Sequence, residues 1–359
     1  MAARCLSRIK VYYRTVRSGR RKTETGKLAG GDEAKRGMMT MGNADGYSGT
    51  VRRRMHVLFP VILAAMVAVC STGGTSVAAG SGSAAKPTLR IGSTNFTEQL
   101  IVAELYAQVL EADGYTVERR LNLGNREIVA PALESGQIDL YPEYLATYLT
   151  YITKDKSRAS TNARATHKSL QEALAPKSLT VLDYAPAVDT NGFVVTKETA
   201  DKYKLARLSD LAAVAGQMVL GGPPECPDRP FCIPGLRQTY GITFKDFKAL
   251  DAGGPLTVMA LEGKQIQVGL LFTTDAVIAA RGYVLLQDDR QLQLADNIAP
   301  VVRNAWLAKA PADLKPLLNR LSAKLTTEEI TGLNRRVGLD KQDPKAVAGL
   351  WLRQQGLVK

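Results

Sequence analysis

Two short stretches carry residue types that could hold a small ligand. Ser93-Thr94-Asn95-Phe96-Thr97-Glu98-Gln99 follows a strand-like run, Leu89-Arg90-Ile91-Gly92. It leads into Glu98 to Glu111, with apolar residues at Leu100, Ile101, Leu105, Val109 and Leu110. That spacing predicts a helix. The first N–H groups of a helix are unpaired and point outward, so a polar strand-to-helix turn suits a small ligand. The second stretch, Asp139 to Thr147, follows another strand-like tail and begins a cluster of Tyr141, Tyr144, Tyr148 and Tyr151. Tyrosine faces are electron-rich and attract cations. Together the two stretches point to a ligand-binding cleft rather than a catalytic centre.

The parts for catalysis are few. His167 is the only histidine after residue 56, so Ser/His and Cys/His mechanisms lack a base. No G-x-S-x-G, H-E-x-x-H or Walker-type loop occurs; carboxylate-only chemistry stays open. Cys226 and Cys232 flank a Pro-rich loop. In an exported chain such a pair reads as a disulfide, with free thiols as the alternative. Zinc would need two more ligands, which the chain does not offer nearby. No metal or cofactor is expected, and the chain reads as a non-enzyme.

The formal net charge is +13, which invites a nucleic-acid reading. Its distribution argues against that. Residues 1–70 hold 14 Lys/Arg and 4 Asp/Glu; the remainder holds 33 and 30, a net of only +3. Phosphate binding needs clustered Lys/Arg, which the body lacks.

Residues 57–69 form an uncharged apolar run of thirteen, preceded by Arg52-Arg53-Arg54 and ended by Cys70. The run is too short to span a bilayer comfortably as a helix. It reads as an export signal over 55–70. Cys70 suggests lipidation, although Val69 sits where a small residue is usual. Ordinary cleavage near 77–80 and a twin-arginine route remain open. Residues 1–54 read as a basic extension or a mis-assigned start. Residues 71–87, rich in Gly, Ser and Ala, read as a flexible tether.

From Thr88 onward strand-like and helix-like segments alternate, which predicts an α/β protein with substantially parallel sheets. Two extended Ala-Pro steps stand out, at Ala185-Pro186 and Ala299-Pro300. Two crossings would make two lobes, residues 88–189 plus 297–359 and residues 190–296, with the ligand between them.

The runs Ile91–Gln99, Gly136–Glu143, Tyr240–Phe244 and Phe272–Ala276 together resemble the substrate-binding proteins of ABC importers for glycine betaine, choline and related osmoprotectants. The resemblance covers essentially residues 88–359. It implies a type II periplasmic-binding-protein fold with two lobes, a cleft and no catalysis. It implies a quaternary ammonium ligand held by a tyrosine cage, since such a cation has no N–H to donate. Its partners would be ABC permease subunits and, through Cys70, the membrane; a monomer and no nucleic acid are expected.

Carried over residue by residue, Tyr144 and Thr147 match a cage tyrosine and a ligand hydrogen-bonding position. Thr94 and Gln99 fall in the first cleft loop, where the family has polar contacts. Phe272, with Thr273 beside it, stands where relatives often have tyrosine. Asn191 departs from the tyrosine that commonly follows Asp-Thr, so one cage wall is missing. Arg229 is a candidate partner for a ligand carboxylate or a solvated charge. Tyr141, Tyr148 and Tyr151 read as packing, and Asp275 as a helix cap or a ligand contact. The ligand itself is left open among betaine, choline, carnitine and other small molecules, and so is a sensor role without transport.

Overall fold

The computed structural model describes residues 86–359. The extension, the export signal, Cys70 and nearly all of the tether lie outside the described residues. No helix among the described residues is long and apolar enough to cross a membrane.

The body is α/β and two-lobed, built on two five-stranded sheets. The first begins with β1 (Leu89–Gly92), β2 (Val117–Arg120), β3 (Leu140–Tyr144) and β4 (Leu179–Val181). The chain then forms the second sheet from β5 (Asn191–Val195), β6 (Val219–Gly222), β7 (Asp246–Ala249), β8 (Val268–Phe272) and β9 (Val284–Leu285). It returns to the first with β10 (Ile298–Arg303). The strand orders are β2-β1-β3-β10-β4 and β7-β6-β8-β5-β9.

The sheets are mixed, which corrects the expectation of substantially parallel ones. β1 pairs β2 and β3 in parallel, as β6 pairs β7 and β8. β10 runs antiparallel to β3 and β4, and β5 antiparallel to β8 and β9. The reversed strands are the two that arrive from the other sheet. A chain entering at the shared edge runs back through the sheet rather than following a right-handed helical crossover. The run 283–289 is also less regular than its apolar pattern suggests, with only Val284–Leu285 in a strand.

Three helices join the first strands: α1 (Thr97–Ala112), α2 (Arg126–Glu134) and α3 (Leu145–Thr153). α1 is buried along most of its length. The reason lies at the far end of the chain, where helices Leu314–Ser322, Thr327–Gly338 and Pro344–Gln354 supply Leu318, Leu321, Ile330, Leu333, Val347 and Trp351 to the same core. A helix covered on both sides carries apolar residues nearly all round. Asp139, just before β3, ties three strands. It accepts from the backbone N–H and guanidinium of Arg90 on β1 and from Arg303 on β10. Burial alone would raise its pKa, but these donors hold it below the usual carboxylate range. β3 is buried at every residue, and it delivers Tyr144 to the start of α3.

Candidate functional site

A cavity of about 370 Å³ is lined from both sheets: by Tyr144 and Thr147 at the start of α3, Arg126 on α2, and Asn191 and Phe272 on β5 and β8. Asn191 and Phe272 face each other in the β5/β8 register. Three rings gather at one wall. Phe96 lies 6.2 Å from Tyr144 and 4.7 Å from Phe272, centroid to centroid. Gly253 backs this wall with φ +67°, and a Cβ there would come within 2.9 Å of the Phe272 ring. Only glycine tolerates both that backbone and that approach.

Tyr144 is held from behind. Its hydroxyl donates to Glu98 Oε1 at 2.7 Å. Glu98 Oε2 accepts from Thr274 Oγ1 at 2.6 Å and from Asn334 Nδ2 at 2.8 Å. Burial, then the Glu98 and Asp189 carboxyls, push the Tyr144 phenol well above its ordinary range, so it remains a donor. Burial likewise raises the Glu98 carboxyl, against three donors that pull it down.

Thr147 is held by ions. Its backbone N–H donates to Asp296 Oδ1 at 2.8 Å, and its Oγ1 accepts from Arg126 Nη2 at 2.8 Å. Arg126 also forks onto Glu143 at 2.6 and 2.8 Å. Burial would lower the Arg126 pKa, yet the Glu143 carboxylate outweighs it and the net direction is up. A buried fork of this kind keeps both charges only because each has its partner.

Two further carboxyls line the cavity, Asp189 and Asp296. Asp189 is 4 % exposed and Asp296 is 1 % exposed. Asp189 Oδ1 accepts from Thr274 N at 3.1 Å and Thr273 Oγ1 at 3.2 Å. Burial, with Glu98 and Asp275 nearby, raises the Asp189 pKa well above the carboxylate range. Burial also pushes Asp296 up to about 7.

The residues expected from sequence divide as follows. Tyr144, Thr147, Asn191, Arg229 and Phe272 line the large cavity together. Thr94 and Gln99 line an adjoining chamber of about 40 Å³ that shares Phe96, Tyr144 and Phe272 as walls. There Thr94 Oγ1 and Gln99 Oε1 are buried without a hydrogen-bond partner among the described residues. Thr273 lines neither space. It accepts from Thr190 N at 3.0 Å and donates to Asp189, so it positions that carboxyl. Arg229 is neither solvated nor free: it lies 2.8 Å from Glu127 on α2 and 3.1 Å from Glu225. Asp275 accepts from Phe272 N at 2.8 Å and turns the chain after β8.

Cys226 and Cys232 form a disulfide with Cα atoms 5.3 Å apart. It closes the loop that brings Asp228, Arg229, Pro230 and Phe231 to the cavity. Tyr141 and Tyr148 are fully buried core residues, whereas Tyr151 lines the cavity under Lys154 Nζ, 4.2 Å from the ring centroid. The sequence reading missed Phe96, Arg126, Asp189, Tyr151 and Asp296 as lining residues. For Tyr151 a signal existed: Thr147, Thr150, Tyr151 and Lys154 repeat at three- and four-residue spacing, one face of a helix.

Residues 87–354 match the family model described as the substrate binding domain of the ABC-type glycine betaine transport system. The chain is 28 % identical over 285 residues to a glycine betaine-binding protein of Escherichia coli, spanning 77 % of this chain and 93 % of the relative. It is 30 % identical over 288 residues to a glycine-betaine-binding protein of Pseudomonas aeruginosa, spanning 77 % and 91 %. Among solved structures, a glycine betaine/carnitine/choline ABC transporter protein superposes with a TM-score of 0.61 at 27 % identity, covering 76 % of this chain and 99 % of that one.

Proposed function

The chain belongs to the family of substrate-binding domains of ABC-type glycine betaine transport systems, and from that premise we propose that its cavity captures a quaternary ammonium osmolyte for an ABC importer. Members of such systems work outside the cytoplasm, bind small solutes and hand them to a permease; they are not enzymes. The observation that carries the reading is the ring cluster of Phe96, Tyr144 and Phe272 on a cavity lined from both sheets. A trimethylammonium group offers no N–H, so aromatic faces and exclusion of water must hold it.

In this reading residues 88–189 plus 297–359 form one lobe and residues 190–296 the other. Binding closes them, and the closed form docks on the permease as a monomer. Thr94, Gln99, Thr147, Asn191 and Arg229 surround the ligand, while Thr273 acts through Asp189. Residues 55–70 direct export, and Cys70 carries a lipid anchor. Mass spectrometry of the membrane-extracted protein tests the anchor: a diacylglyceryl-modified N-terminal Cys70 supports it, and a soluble N-terminus near residue 78 removes it.

Isothermal titration of the body with glycine betaine and choline tests the ligand class. Saturable heat with either is the expected result. No heat with both would mean that the aromatic wall serves a different molecule.

A further inference from the structure

We propose that the ligand is a net organic cation that also carries a hydrogen-bond donor, as choline does, and that Asp189, Asp296 and Asn191 receive it. The inference deepens the quaternary-ammonium reading and rests on it.

Three acceptor oxygens on the cavity lining are without partners. Asp189 and Asp296 each use Oδ1 for protein donors. Neither Oδ2 accepts a hydrogen bond among the described residues. Asn191 Nδ2 donates to the Phe231 carbonyl at 3.0 Å. That contact fixes the amide orientation, because a carbonyl accepts only from nitrogen, and leaves Oδ1 on the cavity side of the bond. Where relatives commonly have a tyrosine, this chain thus offers an acceptor instead of a ring.

The charged donors along the same lining are already engaged. Arg126 holds Glu143 and Thr147. Arg229 holds Glu127 and Glu225. Lys154 sits over the Tyr151 ring. A zwitterion would bring its carboxylate into a space with two carboxyl groups and no unpaired guanidinium. A trimethylammonium head alone would satisfy none of the three oxygens. A cation with an O–H or N–H meets both needs, because like charge repels and unpaired buried acceptors are costly.

Charge and protons must then move together. Asp189 faces Glu98 from α1 and Asp275 from the turn after β8; Asp296 faces Arg126 from α2 and Glu143 from β3. Their raised pKa values mean that an arriving cation favours loss of a proton from the pair. Cation affinity should therefore rise with pH.

The test titrates the purified full chain with choline, O-methylcholine, glycine betaine and tetramethylammonium. O-methylcholine keeps the cation and removes the donor. Choline should bind roughly tenfold or more tighter than O-methylcholine, and tighter than glycine betaine. Asp296→Asn should bring the choline to O-methylcholine ratio toward one; the wild-type series stands even if that variant misfolds. Equal affinity for choline and O-methylcholine, or glycine betaine tightest, overturns this inference and leaves the proposed function standing. No binding by any of the four overturns the proposed function as well.

Discussion

The backbone N–H of Asp189 donates to the carbonyl of Asp296 at 3.1 Å. The next residues out, Val188 and Asn297, form an isolated antiparallel bridge. The two segments that carry the chain between its sheets therefore run side by side, and each places a carboxyl on the cavity lining. A cross-linked pair of strands is a natural pivot for lobe closure, since a few residues at element ends absorb the rotation. The site's acidity and its hinge are thus built from the same residues.

Tyr144 should separate binding from folding. Tyr144→Ala removes a cavity wall that packs on Phe96, so quaternary-ammonium binding should fall at least tenfold in a titration. Tyr144→Phe keeps the ring but leaves Glu98 Oε1 without its 2.7 Å donor. That change should cost about 1–3 kcal/mol of stability, read by urea denaturation, with a smaller loss of affinity. Equal binding losses for both variants would mean that the hydroxyl, not the ring, holds the ligand.

The Arg126–Glu143 fork should matter more for stability than any surface pair. Arg126→Met strands a buried carboxylate, so a loss of roughly 3–5 kcal/mol is expected by urea denaturation. Glu198→Gln, which breaks an exposed pair with Lys264, should stay within about 1 kcal/mol. Similar losses for the two would show that water reaches the Arg126 fork.

Most of the architecture was legible because helical and strand periods are local. The runs after Leu89 and Asp139 announced their elements, and the two Ala-Pro steps mark where the sheets exchange chain. Parallel against antiparallel pairing was not legible, since β5 and β10 have ordinary strand patterns and only their route reverses them. Within the site, Tyr144 and Asn191 stood out through a known motif. Asp296 and Arg126 did not: each lies far in sequence from Thr147, and both meet it only after folding. Phe96 was visible in the first motif but read as spacer between polar residues.

The disulfide should tune binding more than folding. It closes a short loop, so the unfolded chain loses only about 2 kcal/mol worth of freedom. The same loop carries Arg229 and Phe231 to the cavity. Cys226→Ser with Cys232→Ser should lower Tm by a few degrees and weaken choline or betaine binding several-fold. An unchanged affinity would show that the Arg229–Glu127 contact alone seats the loop.

Stability without ligand should fall between pH 5 and 7.5. Burial holds the Asp275 and Asp296 carboxyls up to about 7, and Asp189 is raised further. A carboxyl with a raised pKa keeps its proton in the folded chain where the unfolded chain has lost it. Its contribution is full below about pH 4, the unfolded carboxylate range, and is lost as pH climbs through the folded value. Glu127 and Asp139 are shifted down and act in the opposite sense, but only at acid pH, below the chosen window. Urea denaturation at several pH values should show a decline of about 1 kcal/mol for each pKa unit crossed. Asp296→Asn should make that slope shallower, because an amide has no proton to lose. A saturating cation should do the same by favouring the ionised pair. A stability that rises through this window would mean that these carboxyls are ionised in the folded chain and that water, not burial, governs the cleft floor.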